Sequence, residues 1–261
     1  MVSPFRRHQQ MVRGLMSGAA VRAAGAATFA AAITAIAPAP AAPAADTPVG
    51  QEYAALRVLL HDNLRALSDI RSHEARNPVK ADFAKAFAPW IEGVLAAEGD
   101  DATQDEILVT NMVWAVDYRD IDYALLLGTY AVRHNLVMPD GYTRSIACFL
   151  AEDIAHLALQ TAETVSLDQL IQLRALVENS DMPDPVMARL GKAIGRAFVA
   201  KADAFDPTAD NAPAGGKAAY QDEALTNLRR ALELDKNVGV KKDIERLERA
   251  LKDQPAQPAQ Q

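Results

Sequence analysis

The sequence predicts an all-α protein, an antiparallel array of helices with a tetratricopeptide-like helical hairpin near the C-terminus. Three observations predict this class. Half of the 261 residues are apolar, only 6% are aromatic and alanine is abundant, a composition that favours helix over sheet. Apolar residues recur at three- and four-residue spacing along most of the chain. No segment shows the apolar–polar alternation that is typical of a strand.

The first 49 residues are predicted to be a disordered basic arm followed by a linker. The arginines of this segment are Arg6, Arg7, Arg13 and Arg22, and its first acid is Asp46. A stretch of small apolar residues over 23–37 precedes a Pro/Ala spacer, and this layout resembles a secretory signal. Alanine partitions poorly into lipid, however, and the stretch begins late. We therefore interpret the segment as a basic arm and a linker. Because its four arginines precede any acid, we predict that they contact DNA phosphates.

Residues 50–202 are predicted to form the helical core. The first helix carries a narrow apolar stripe, typical of a seam between two helices. The stripe consists of Tyr53, Leu56, Leu60, Leu64, Leu67 and Ile70. A second helix is predicted to begin after Pro78. A third is predicted to begin at Thr103, whose side chain would cap it while Glu106 reaches back to the cap.

The later core helices have their own start signals. Ser166 is predicted to cap a helix over 166–179, with Gln169 completing a capping box. Asp184 is predicted to cap the helix over 185–202, with Pro185 at its first position. A turn over 117–120 and a helix over 145–161 complete this part of the chain.

A linker over 203–216 is followed by two predicted amphipathic helices, 217–234 and 238–252, and by a disordered tail over 253–261. The two helices form the tetratricopeptide-like hairpin. A single unit of this kind cannot bury its apolar face by itself. The hairpin must therefore pack on the body of the protein or on a partner.

Few residues carry recognisable chemistry. The segment 214–217 lacks the upstream glycine and the Ser/Thr of a nucleotide-binding loop, which excludes an ATPase of that type. The lone Cys148 excludes an internal disulfide and a multi-cysteine zinc site, and we expect it to be a buried apolar residue. Asp117, Asp120 and Asp122 are weak candidates for a Mg²⁺ site in a turn, although caps and dipole partners explain them more simply.

One further basic element lies in the core. Arg189, Lys192 and Arg196 fall on one side of a predicted helix, at spacing i, i+3, i+7. This stripe could contact a DNA backbone, or it could be an ordinary solvated face. The net charge of −7 argues against non-specific coating of nucleic acid by the whole surface. Trp90 and Trp114 lie among aliphatic residues and are predicted to be core anchors.

Several runs together resemble one protein family. They are Pro89-Trp90-Ile91-Glu92-Gly93, the helix that ends at Trp114, Asp117-Tyr118-Arg119-Asp120, Asp181-Met182-Pro183-Asp184, and Gly239-Val240-Lys241-Lys242-Asp243 with the alternating charges that follow. In these runs the chain resembles the small subunit of the phage DNA-packaging terminase, of the branch labelled "terminase, endonuclease subunit" in contractile-tailed temperate phages.

The resemblance implies a homo-oligomer in the cytoplasm of the bacterial host that does not bind a membrane. Such a protein binds viral double-stranded DNA at the packaging site and acts with the terminase large subunit in cutting and packaging. Mg²⁺ and ATP are then expected on the large subunit, and this chain needs no cofactor. No catalytic residue is identified, so whether the chain is itself an enzyme stays open. The alternative is a helical interaction adaptor that uses the C-terminal hairpin and that is exported if the arm acts as a secretory signal.

Overall fold

A computed structural model describes residues 40–97, 102–161, 163–206 and 216–252, and these form helices without a β-strand. The helices are α1 (Pro48–Asp69), α2 (His73–Ala84), a 3₁₀ turn (Lys85–Phe87), α3 (Ala88–Ala96), α4 (Glu106–Asp117), α5 (Ile121–Arg133), α6 (Ile146–Gln160), α7 (Leu167–Val177), α8 (Asp184–Asp203), α9 (Gly216–Leu234) and α10 (Lys241–Lys252). The all-α class is confirmed. The predicted arm, the tail and most of the predicted linker lie outside the described residues.

Helix α4 lies at the centre of the first half of the fold. Every residue from 107 to 116 is buried, as expected for a helix that is apolar all round. Helices α1, α2, α5 and α6 surround it. The Trp114 ring is 2% exposed and lies 6.3 Å from the ring of Phe87, which confirms its predicted place in the core. Trp90 is half-buried and stacks on Tyr53 with 5.6 Å between ring centroids.

Helix α8 organises the second half. It packs against α6 and α7 on one side and most extensively against α9 on another. The α8–α9 contact is close because α8 presents glycines to it. A Cβ at Gly191 would lie 3.3 Å from that of Ala231, and one at Gly195 would lie 3.2 Å from the Ala224 carbonyl oxygen. The C-terminal hairpin therefore buries its apolar side on the body of the protein.

Several predicted helix starts need correction. Helix α4 begins at Glu106 with Asp105 as its N-cap, so the prediction of Thr103 as the cap was wrong. Helix α2 begins at His73 with Ser72 as its cap and contains Pro78, so the prediction that it begins after Pro78 was wrong. Helix α8 begins at Asp184, one residue before the predicted start. The capping box of Ser166 and Gln169 is confirmed.

The apolar stripe of α1 is only partly buried. Tyr53, Leu60 and Leu67 lie in the core, whereas 38% of Leu64 is exposed. Residues seven apart thus form the buried line, and Leu64 lies beside it. Helix α1 contacts α2 and α4 through this line. Within the described part of the chain, no helix combines the length and the apolar character that crossing a bilayer requires.

Candidate nucleic-acid interface

The predicted DNA-contacting residues fall into two groups, the N-terminal arm and the stripe on α8. Arg6, Arg7, Arg13 and Arg22 lie outside the described residues, and their contact with DNA stays a prediction. The stripe on α8 is described in full.

The three cations of the α8 stripe are held in contacts within the chain. The guanidinium of Arg189 donates to Glu152 of α6 at 2.9 Å. Arg196 forms an ion pair with Asp243 of α10 at 3.1 Å. These two arginines therefore connect α8 to the helices on either side of the stripe. Any phosphate would compete with carboxylates that are already in place.

Lys192 lies between these two arginines and fixes the turn before α10. Its Nζ donates to the Val238 carbonyl oxygen at 2.7 Å. Burial lowers the pKa of Lys192. The turn continues through Gly239, whose φ of +77° favours glycine. This hydrogen bond joins α8 to the turn before α10. Contact of the stripe with DNA stays a prediction.

The acidic turn has a different role for each of its three carboxylates. Asp117 pairs with Lys80 of α2 at 2.6 Å. Asp120 caps α5 by accepting the backbone N–H of Tyr123 at 3.1 Å. Asp122 accepts a hydrogen bond from the Gln169 side chain at 2.8 Å. Among the described residues, no group of three or more His, Cys, Asp or Glu side chains is arranged to hold a metal ion.

An ion cluster that the sequence did not indicate joins three parts of the fold. Arg144, just before α6, donates to Glu152 at 2.7 Å and to Asp153 at 2.9 Å. Glu152 also accepts from Arg189 of α8. The hydrogen bond from Arg144 is the main cause of the lowered pKa of Glu152, and the bond from Arg189 also lowers it. Burial raises the pKa of Asp153. The cluster ties the segment before α6 to both helices.

Cys148 is buried near this cluster, as predicted. Burial raises the pKa of its thiol. A raised pKa disfavours the thiolate, which is the nucleophilic form of cysteine. This position therefore suits packing rather than covalent catalysis.

Comparison with known proteins places these helices in a family. Residues 57–185, from α1 to the start of α8, match the family described as phage small terminase subunit. The "Terminase, endonuclease subunit" of Escherichia phage P2 is 36% identical over 206 residues, which cover 78% of this chain and 76% of that protein. The "Probable terminase, endonuclease subunit" of Haemophilus phage HP1 is 27% identical over 114 residues, covering 43% of this chain and 40% of that protein.

No solved structure matches the chain. The match to the phage P2 protein extends over most of both sequences, well beyond a single shared helix pair. The family match covers the buried helix α4 together with the helices packed around it. This chain therefore belongs to the family of phage small terminase subunits.

Proposed function

We propose that this chain is the DNA-recognition subunit of a phage terminase. It binds viral double-stranded DNA at the packaging, or genome-end, site and acts with the large subunit in cutting that DNA and packaging it into the capsid. It does so as a homo-oligomer in the cytoplasm of the bacterial host. The observation that carries the proposal is the similarity to the phage P2 protein named "Terminase, endonuclease subunit" over 76% of its length.

The proposal assigns the ATPase and the cutting chemistry to the large subunit. Two features support this division. The sequence lacks a nucleotide-binding loop of the Walker type. The acidic turn offers no shared site, because Asp117, Asp120 and Asp122 each contact a different part of the fold. The endonuclease in the relative's name then describes the complex of the two subunits, and Mg²⁺ and ATP act on the large one.

A gel-shift titration tests the proposal. The full chain is titrated, with Mg²⁺ present, against the phage's own genome-end duplex and against a shuffled duplex of the same composition. A shift that prefers the genome-end duplex, without nicking, is expected. Equal shifts of both duplexes, with and without the large subunit, would contradict site recognition.

A double substitution in the acidic turn tests where the cutting chemistry lies. Asp117→Asn with Asp120→Asn is expected to leave cutting by the two-subunit complex within about two-fold of the wild type. The variant should lose about 1 kcal/mol of stability, because Asn still caps a helix well while the ion pair with Lys80 is lost. Cutting assays at a temperature where both proteins are folded separate the two effects. Abolished cutting by a folded variant would place a catalytic metal in this turn.

The adaptor alternative relied on a free face of the C-terminal hairpin. That face packs on α8, with Ala224, Leu228 and Ala231 of α9 almost completely buried. The signal-like arm that suggested export lies outside the described residues. The family comparison favours the terminase function over the adaptor.

A further inference from the structure

The outward side of α10 is a strip of exposed cations. Ile244 and Leu247 point into the core and are 8% and 3% exposed. The exposed basic side chains of this helix are Lys241, Lys242, Arg246, Arg249 and Lys252. At 100° per residue these five lie within about 140° of arc, on one side of the helix. The strip is unusual in a chain whose net charge is −7.

The acids of α10 do not neutralise this strip. Asp243 is paired with Arg196 of α8 at 3.1 Å, and Glu248 is paired with Arg229 of α9 at 2.6 Å. Cations from the neighbouring helices thus satisfy both carboxylates. Glu245 is the exposed acid that remains, so the five cations leave this side with a net charge of +4.

The five cations are also free of ion pairs with the part of the chain that the structure describes. None of them has a carboxylate within 4.0 Å there. Lysine and arginine that merely solubilise a helix are commonly matched by acids at i+3 or i+4. Here Glu245 is the exposed acid at such a spacing from Lys241 and Lys242, and it forms no ion pair with them, whereas Asp243 and Glu248 pair with cations of other helices.

We propose that the outward side of α10 binds the phosphate backbone of double-stranded DNA. This inference rests on the proposed function and names a surface for it. The strip carries charge without a large exposed apolar side chain, whereas the centre of a protein–protein interface is enriched in aromatic residues and depleted in lysine. Long cationic side chains of this kind contact DNA phosphates.

The dimensions of the strip suit a duplex. Lys241 and Lys252 are separated by about 17 Å along the helix, at 1.5 Å per residue. That length of DNA axis carries roughly ten phosphates on its two strands. The strip is therefore long enough to lie along several phosphates of a duplex.

The strip is also held in a fixed orientation. The Lys192 ammonium binds the carbonyl of Val238 just before α10, and Arg196 binds Asp243 in its first turn. Two of the three α8 cations that the sequence suggested as DNA contacts thus position the helix that carries the free cations. A preorganised surface loses less entropy on binding than a mobile one.

The salt dependence of DNA binding tests this inference. The test variant combines Lys242→Gln, Arg246→Gln and Arg249→Gln. The matched control combines Arg71→Gln, Arg133→Gln and Lys201→Gln, three exposed cations outside α10. Both variants change the net charge by the same amount. Binding of the full chain to the genome-end duplex is followed by fluorescence anisotropy from about 50 to about 200 mM salt.

The test variant is expected to lower the slope of log affinity against log salt by about 2.7, since each phosphate contact contributes about 0.9. Over that salt range the wild type then loses roughly 40-fold more affinity than the variant. The control should keep the wild-type slope. A third variant with Lys242→Arg, Arg246→Lys and Arg249→Lys keeps the charges and should also keep the slope. Circular dichroism melts verify that each variant is folded.

The outcomes separate the two proposals. If the wild type binds neither duplex at low salt, the proposed function fails and this inference fails with it. If the wild type binds and the test variant keeps the wild-type slope, the inference about α10 alone is overturned. If the test variant instead loses binding to the purified large subunit while its slope on DNA is unchanged, the inference is also overturned. The strip would then bind an acidic surface of that protein.

Discussion

Replacing Asp105 by alanine is expected to lower the free energy of unfolding by about 2 to 4 kcal/mol. Asp105 is 2% exposed, and each of its carboxylate oxygens has a separate partner. Oδ1 accepts the backbone N–H of Leu108 at 2.9 Å and caps α4. Oδ2 accepts the indole N–H of Trp90 at 2.8 Å and ties α3 to α4. Alanine leaves both donors without their acceptor.

The matched control is Asp120→Ala. Asp120 also caps a helix, α5, but it is exposed and its side chain accepts the Tyr123 N–H. Loss of a cap alone costs about 1 kcal/mol. Urea unfolding followed by circular dichroism gives both values. Equal losses in the two variants would show that the bond to Trp90 contributes nothing.

The Asp105 variant also has an expected pH signature. Burial raises the pKa of Asp105 above its ordinary value of 3.8, although hydrogen bonds from Leu108 and Trp90 oppose the rise. The folded protein then holds this proton more tightly than the unfolded chain. The contribution of Asp105 to stability therefore falls as pH rises from below 3.8 through the raised pKa. The destabilisation by Asp105→Ala is expected to be larger at about pH 3 than at about pH 6. A destabilisation that grows as pH rises would contradict the direction of the shift.

The same residue shows why some helix starts could be predicted and others could not. The box of Ser166 and Gln169 is confirmed because its donors and acceptors all lie within four residues. Thr103 and Glu106 fit the same pattern, yet Asp105 caps α4. Its second oxygen binds Trp90, which lies 15 residues earlier. Glu106 instead pairs with Arg57 of α1. Long-range partners decided between two caps that the local sequence could not distinguish.

The candidate interface has a similar limit. The spacing of Arg189, Lys192 and Arg196 correctly placed three cations on one side of α8. It did not show that α6 and the start of α10 meet that side. Conversely, acidic and basic residues alternate along α10, so its sequence does not show which cations lack an acidic partner. Which acids turn inward depends on how α10 lies against α8 and α9, and that arrangement involves residues 19 to 47 positions apart.

The close approach of α8 and α9 was equally hidden, because glycine carries no apolar signal. Replacing Gly195 by leucine is expected to lower the free energy of unfolding by about 3 kcal/mol or more, at the upper end of overpacking costs. A Cβ at this position would lie 2.6 Å from Cγ of Leu228 and 2.7 Å from its Cδ2. Leu228 is fully buried, so it has no space to yield. The helices must separate to accept the new side chain.

Gly93 of α3 provides the matched control, since a Cβ there meets nothing within 4 Å. Gly93→Leu is expected to raise stability by up to about 1 kcal/mol, because leucine favours a helix more than glycine does. Adding Leu228→Ala to Gly195→Leu should cost less than the two single losses together, since it opens the space that leucine needs. Denaturant unfolding of the four variants measures these differences. Additive losses, or a stable Gly195→Leu variant, would mean that α9 does not lie as close to α8 as the structure places it.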